Sequence, residues 1–138
     1  MQRLHPTNRR SDKPRQGAAL VETAICLPVM LLLTFGAIEA SNAIVLKQTL
    51  TEISYETARI VTSQGTTKAE ALIRAEEIVT ARGLDDVVVD ISPDITVNTP
   101  PGTAITVTVS AAATSNSIGP QWYFEDATIS AITVMVRL

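Results

Sequence analysis

Residues 15–38 read RQGAALVETAICLPVMLLLTFGAI, and the fold of the chain turns on how this stretch is understood. From Ala18 to Ile38 the only charge is Glu22. A helix of that length rises about 31 Å, which matches the hydrocarbon core of a bilayer. A carboxylate within such a run is expensive: roughly 3 kcal/mol near mid-bilayer, and less near the interface, where Glu22 would lie. A charge kept at that cost points to a task. Pro28 does not forbid the helix, because membrane helices accept proline with a kink and ten residues precede it in the run.

Working outward, the stub before the run carries Arg3, Arg9, Arg10, Lys13 and Arg15 against Asp12. The whole chain has a net charge of −3, so everything after the stub is strongly acidic. A basic flank against an apolar run is the pattern of a cytoplasmic anchor under the positive-inside rule. An acidic body with no basic face argues against nucleic acid as a partner. The stub has two prolines, Pro6 and Pro14, and no apolar period, so residues 1–16 read as disordered. A chain of 138 residues leaves material for one modest domain beyond a membrane segment. Cys26 is the only cysteine, which excludes an internal disulfide. Ile25 before it and the apolar run after it make it a poor lipid-attachment site, so it reads as a lipid-facing or helix-packing residue.

Beyond the run, Ala43, Leu46, Leu50, Ile53, Thr57 and Ile60 recur at steps of three and four, a semi-apolar stripe of a helix. Lys47, Gln48, Glu52, Glu56 and Arg59 lie mostly off it, with Glu56 and Arg59 spaced to pair weakly. No breaker occurs before Gly65, so one helix is expected over residues 18–61, about 65 Å long. A turn at Ser63–Thr67 leads to a second helix over 67–82, with Ala71, Leu72, Ala75, Ile78 and Val79 on one arc and Gly83 as its C-terminal cap.

The period then becomes two. Val87, Val89 and Ile91 alternate with Asp86, Val88 and Asp90; Ile105, Val107 and Val109 alternate with threonines and small residues. Ile132, Val134, Val136 and Leu138 alternate with Ala131, Thr133, Met135 and Arg137. These are three half-buried strands, the first two joined through a turn at 98–102. The fold class expected is α+β: a long N-terminal transmembrane helix continuing into a small head of one amphipathic helix and a three-stranded, mainly antiparallel sheet. The expected division is 1–17, a basic leader; 18–62, the helix, with its membrane part at about 18–38; and 63–138, the head.

Four pieces of sequence carry a resemblance: Arg15–Glu22 (RQGAALVE), Leu27-Pro28, Phe35–Glu39 (FGAIE) and Ser54–Arg59 (SYETAR). In this order and spacing, over residues 15–60, the chain resembles the TadE-like pseudopilins, minor pilin-like subunits of tight-adherence (Flp-type) pili in bacteria. The resemblance implies cleavage between Gly17 and Ala18 by a membrane-embedded prepilin peptidase on the cytoplasmic side. It also implies that Glu22, then fifth in the mature chain, pairs with the α-amino group of a subunit. Its partners would be that peptidase, other pilin subunits, the inner-membrane assembly platform and membrane lipid. The mature subunit would sit in the inner membrane with its head in the periplasm, or enter an extracellular pilus. Major pilins of such systems carry tyrosine after the glutamate, where this chain has Thr23, and are far smaller; both departures favour a minor subunit.

Catalytic chemistry has little to stand on. His5 is the only histidine and falls in the leader, and the serines and threonines lack a base. Asp85, Asp86, Asp90 and Asp94 lack the spacing of a looped calcium site, so neither metal nor cofactor is expected. Small residues Ala18, Ala19, Ala24 and Gly36, with Pro28, are candidates for close helix packing. Glu39, Tyr55 and Arg59 are candidate interface residues, with solvation where the helix leaves the bilayer as the plainer expectation for Glu39. Trp122-Tyr123-Phe124 reads either as a docking patch or as a plug for the end of the core. Two other readings stay open: an uncleaved single-pass envelope anchor, and a secreted binding module cut after Ala43.

Overall fold

A computed structural model describes residues 13–138 of the chain. The expectation for the first twelve residues, most of the basic stub and His5 among them, lies outside the described part. Helix α1 runs Lys13–Val61, α2 Lys68–Arg82, and strands β1, β2 and β3 run Val87–Ser92, Ala104–Ala112 and Thr128–Val136. A short 3-10 turn, Thr114–Asn116, follows β2. The α+β class is as expected, while α1 begins five residues ahead of the expected Ala18.

The chain divides into two units, one ending at Phe35 and the other Gly36–Leu138. In the first, the helix exposes apolar side chains on every side, including Leu20, Val21, Ile25, Leu27 and Leu31–Leu33. None of the most apolar part of the helix is buried inside the protein, and it is long and apolar enough to cross a membrane. Its polar side chains hide their donors locally. Thr23 Oγ1 donates to the Ala19 carbonyl at 2.9 Å and Thr34 Oγ1 to that of Met30 at 2.8 Å. A hydroxyl satisfied one turn back costs little in hydrocarbon.

In the second unit, α1 residues 36–61 supply one wall of a water-excluding core. Leu46, Leu50, Ile53, Ala58 and Val61 are buried there with Ile91, Ile105, Val107, Val109, Ala111 and Ala131 of the sheet. The sheet has order β1-β2-β3 with both pairs antiparallel. Helix α2 adds Ala71 and Ala75, with Leu72, Ile78 and Val79 half-buried beside them. Its ends are chemically marked. Thr67 and Glu70 form a capping box, and Gly83 ends the helix at φ 64°, a left-handed conformation that favours glycine. The box satisfies two amide donors that the first turn would otherwise leave bare.

Two expectations need correction. In β3 the inward set is not Ile132, Val134 and Val136, which are exposed, but Ala131, Thr133, Met135 and Arg137. Residues directly opposite in an antiparallel pair share a face, and buried Val107 and Val109 face Thr133 and Ala131. Size decides the phase rather than apolarity. The Ser54 hydroxyl of α1 meets that of Thr133 at 2.7 Å, an approach that suits short side chains on the strand. The second correction concerns ion pairs. Among the described residues Glu56 and Arg59 do not meet; Arg82 of α2 instead reaches Glu52 of α1 at 2.8 Å. Both of those groups are about half exposed, so the pair adds little stability.

Buried Arg137 closes the end of the head. Its guanidinium donates to the carbonyls of Val61, at the end of α1, and Thr66, at 3.4–3.5 Å. A cation at a helix C-terminus opposes the negative end of the backbone dipole. The following amide, Leu138 N–H, donates to the Thr62 carbonyl at 3.2 Å, and Arg137 N–H donates to Thr103 at 2.9 Å. The chain end is thereby tied both to the first helix and to the start of β2.

Candidate functional site: the N-terminal helix and the Glu39 loop clip

Gly17 and Ala18 lie within α1, and nothing would meet a side chain added at Gly17. Glu22 is exposed on the helix, beside Thr23, Cys26, Leu27 and Met30, which line a shallow groove. Ala18, Ala19, Ala24 and Pro28 are exposed as well, so this part of the helix presents small residues, one proline and one carboxylate to its surroundings. A pairing role for Glu22 needs a cation, and none is placed beside it among the described side chains. In low-dielectric surroundings such a cation would be held strongly, since neither charge is stable there alone.

The best-defined polar geometry belongs to Glu39. Its Oε1 accepts three consecutive backbone amides: Trp122 N–H at 3.1 Å, Tyr123 N–H at 2.8 Å and Phe124 N–H at 2.6 Å. Glu39 is only 3% exposed, so the expectation of a solvated residue at the helix exit is corrected. Successive amides aimed at one point form an anion-binding concavity, and here the anion is the protein's own. Burial alone would push the carboxyl pKa up. The amides of Phe124, Tyr123 and Trp122 together outweigh it and hold the group below its ordinary value of 4.5.

Neighbouring residues extend the clip. Asn42 Nδ2 donates to the Ile118 carbonyl at 2.9 Å, and a Cβ placed on Gly36 would lie 3.7 Å from the Tyr123 ring. Gly36, Glu39 and Asn42 are three residues apart along α1, so the glycine lies on the side of the helix from which Glu39 and Asn42 hold residues 118 and 122–124 of the loop. Within the loop, Ser117 Oγ and Gln121 Nε2 both donate to the Ala113 carbonyl. The aromatic group is held by its backbone, and its side chains stay out of the core: Trp122, Tyr123 and Phe124 are all exposed. The plug reading is therefore corrected too. Sequence reasoning treated Glu39 and the aromatic triplet separately. The available signal was a glycine, a glutamate and an asparagine on one side of the helix where the apolar run ends.

Of the other interface candidates, Tyr55 and Arg59 are exposed, and Tyr55 lines a hollow with Thr51, Glu52, Glu56 and Arg82. Two of the four aspartates considered for calcium are engaged through their side chains and a third through its backbone. Asp94 pairs with Lys68 at 3.0 Å, Asp86 accepts the Ser115 hydroxyl, and the Asp85 carbonyl accepts Asn116 Nδ2 at 2.8 Å. Among the described residues, no three His, Cys, Asp or Glu side chains gather as a metal site would require.

The described residues thus comprise an apolar N-terminal helix that is a candidate membrane anchor, followed by a small α+β head, and no catalytic constellation is evident among them. Residues 17–59 match the model of the TadE-like protein family, a pilus-associated family, and over that segment the chain is similar to its members. No curated protein and no solved structure matches the chain.

Proposed function

We propose that the chain is a non-enzymatic minor pilin-like subunit, a pseudopilin, used to assemble a tight-adherence (Flp-type) pilus. The observation that carries this is a coincidence of positions. The TadE-like match begins at Gly17, where a basic flank gives way to an apolar helix whose only charge up to Ile38 is Glu22. In this reading a prepilin peptidase cuts between Gly17 and Ala18, and the new amino group is offered to Glu22 of a neighbouring subunit. The small residues Ala18, Ala19 and Ala24 then let helices approach closely beside that pair. The basic flank favours an amino terminus in the cytoplasm and a head in the periplasm, with the inner membrane as the site of residence. Other pilin subunits and the assembly platform are the partners it would meet there.

A cut after Ala43 would remove Glu39 and Asn42 and free the aromatic loop, which counts against a secreted module. Mass spectrometry of the amino terminus of membrane-extracted protein tests the proposal. A terminus at Ala18 supports it; one at Met1 favours the uncleaved anchor, and one at Ile44 the secreted module. With processing established, Glu22→Ala should leave membrane insertion intact and remove the subunit from purified assemblies. Normal incorporation of that variant would refute the pairing role.

A further inference from the structure

We infer that the loop clipped by Glu39 is a second membrane contact: an interfacial anchor that seats Trp122, Tyr123 and Ile118 among the lipid headgroups of the leaflet from which α1 emerges. The inference rests on the reading of residues 18–38 as a membrane span and is independent of the pilus assignment.

The loop's attachment points are the first ground. Glu39 and Asn42, which hold it, follow directly on the end of the apolar run at Ile38. A segment fastened there lies at the depth where hydrocarbon gives way to headgroups, whichever way the rest of the head faces.

The chemistry exposed at that level is the second ground. Ile118 is 86% exposed, and Trp122 and Tyr123 are each 59% exposed. Trp122 is the only tryptophan in the chain, and Tyr123 is one of two tyrosines. These amphipathic rings favour the membrane interface, with the apolar body toward acyl chains and the N–H or O–H toward water. In water, an exposed isoleucine, tryptophan, tyrosine and phenylalanine within seven residues (118–124) would be an unfavourable surface.

The third ground is the treatment of polar groups. Three consecutive loop amides would be costly to bring toward lipid if unpaired, and Glu39 accepts all three. The same bonds stabilise the carboxylate in its charged form. Glu125 and Asp126 follow at once and are exposed, which limits the loop to a shallow seat. Glu39 is thus a positioning residue: it makes the loop backbone tolerable near lipid and presents the rings.

The sole tryptophan makes the test direct. The full chain is reconstituted in vesicles of phosphatidylethanolamine and phosphatidylglycerol, and retention through an alkaline wash reports whether α1 spans. In retained protein, Trp122 emission should be blue-shifted and shielded from acrylamide. It should be quenched more by lipids brominated near the top of the acyl chain than by lipids brominated near the terminal methyl. Glu39→Ala, retained equally and with an unchanged far-ultraviolet circular dichroism spectrum, should lose most of the lipid-borne quenching. Water-like emission of the retained wild type overturns the inference. So does shielding from acrylamide without quenching by brominated lipid, which would mean that protein covers the loop. Undiminished lipid quenching in Glu39→Ala would overturn the positioning role. Release of the chain by the alkaline wash would instead remove the span on which the inference stands.

Discussion

The two parts of α1 share one backbone and differ in what surrounds their side chains. Up to Phe35 the apolar residues are exposed on all sides of the helix. From Gly36 to Val61 apolarity narrows to a stripe whose members, Leu46, Leu50, Ile53, Ala58 and Val61, are buried against the sheet. A helix apolar all round requires an apolar solvent, whereas a striped helix requires a partner surface and water on its other side. The handover occurs at residues 36–42, where Glu39 and Asn42 bind the loop of the head. Composition along a single helix therefore records a change of solvent within about one turn of that handover.

Substitutions should separate the two regimes. The largest effect expected is from Leu50→Ala, which opens a cavity in the core of the head and should cost about 2–5 kcal/mol in chemical denaturation of the head. The same truncation at Leu31, an exposed residue outside the unit that holds this core, should leave that transition unmoved. Equal losses at both positions would erase the distinction drawn here.

The second contrast sits within β3. Thr133→Ile adds bulk where α1 approaches closely and should destabilise by about 1–3 kcal/mol. Val134→Thr, on the exposed face, should stay within about 0.5 kcal/mol of the parent. If the two effects came out reversed, the inward phase of this strand would be the one expected from apolarity.

Much of this architecture was legible from local signals. The long helix, the second helix with the glycine at 83 and the alternation of β1 and β2 all follow from period and end chemistry. What escaped depends on partners distant in sequence. Strand β3 alternates with larger apolar side chains on one face and small or polar ones on the other, and hydropathy chose the wrong face. The pairing with buried Val107 and Val109 and the approach of Ser54 to Thr133 resolve it. The clip escaped for the same reason: its acceptor and donors are 83 to 85 residues apart, and backbone amides leave no mark in a sequence.

A smaller effect tests the clip by pH. The folded pKa of Glu39 is depressed, so the stability it contributes is present above pH 4.5 and is lost as pH falls through the lowered folded value. Trp122 emission should therefore shift on acidification below 4.5 in the parent, and that component should be missing in Glu39→Gln. The smallest effect expected is a gain. The Thr57 hydroxyl is buried without a hydrogen-bond partner, and Thr57→Val should raise the stability of the head by about 1 kcal/mol. A loss of that size would mean that water or an alternative rotamer satisfies the hydroxyl.

The central claim is that lipid surrounds residues 18–38, and the single native cysteine, Cys26, sits within that stretch. Its side chain is exposed on the isolated chain, so only an external environment can protect it. Labelling of intact membranes with a charged, water-soluble maleimide measures that protection without any mutation. The account predicts no modification of Cys26 until the membrane is dissolved and the protein denatured, and rapid modification afterwards. Prompt labelling of Cys26 in intact membranes would contradict it.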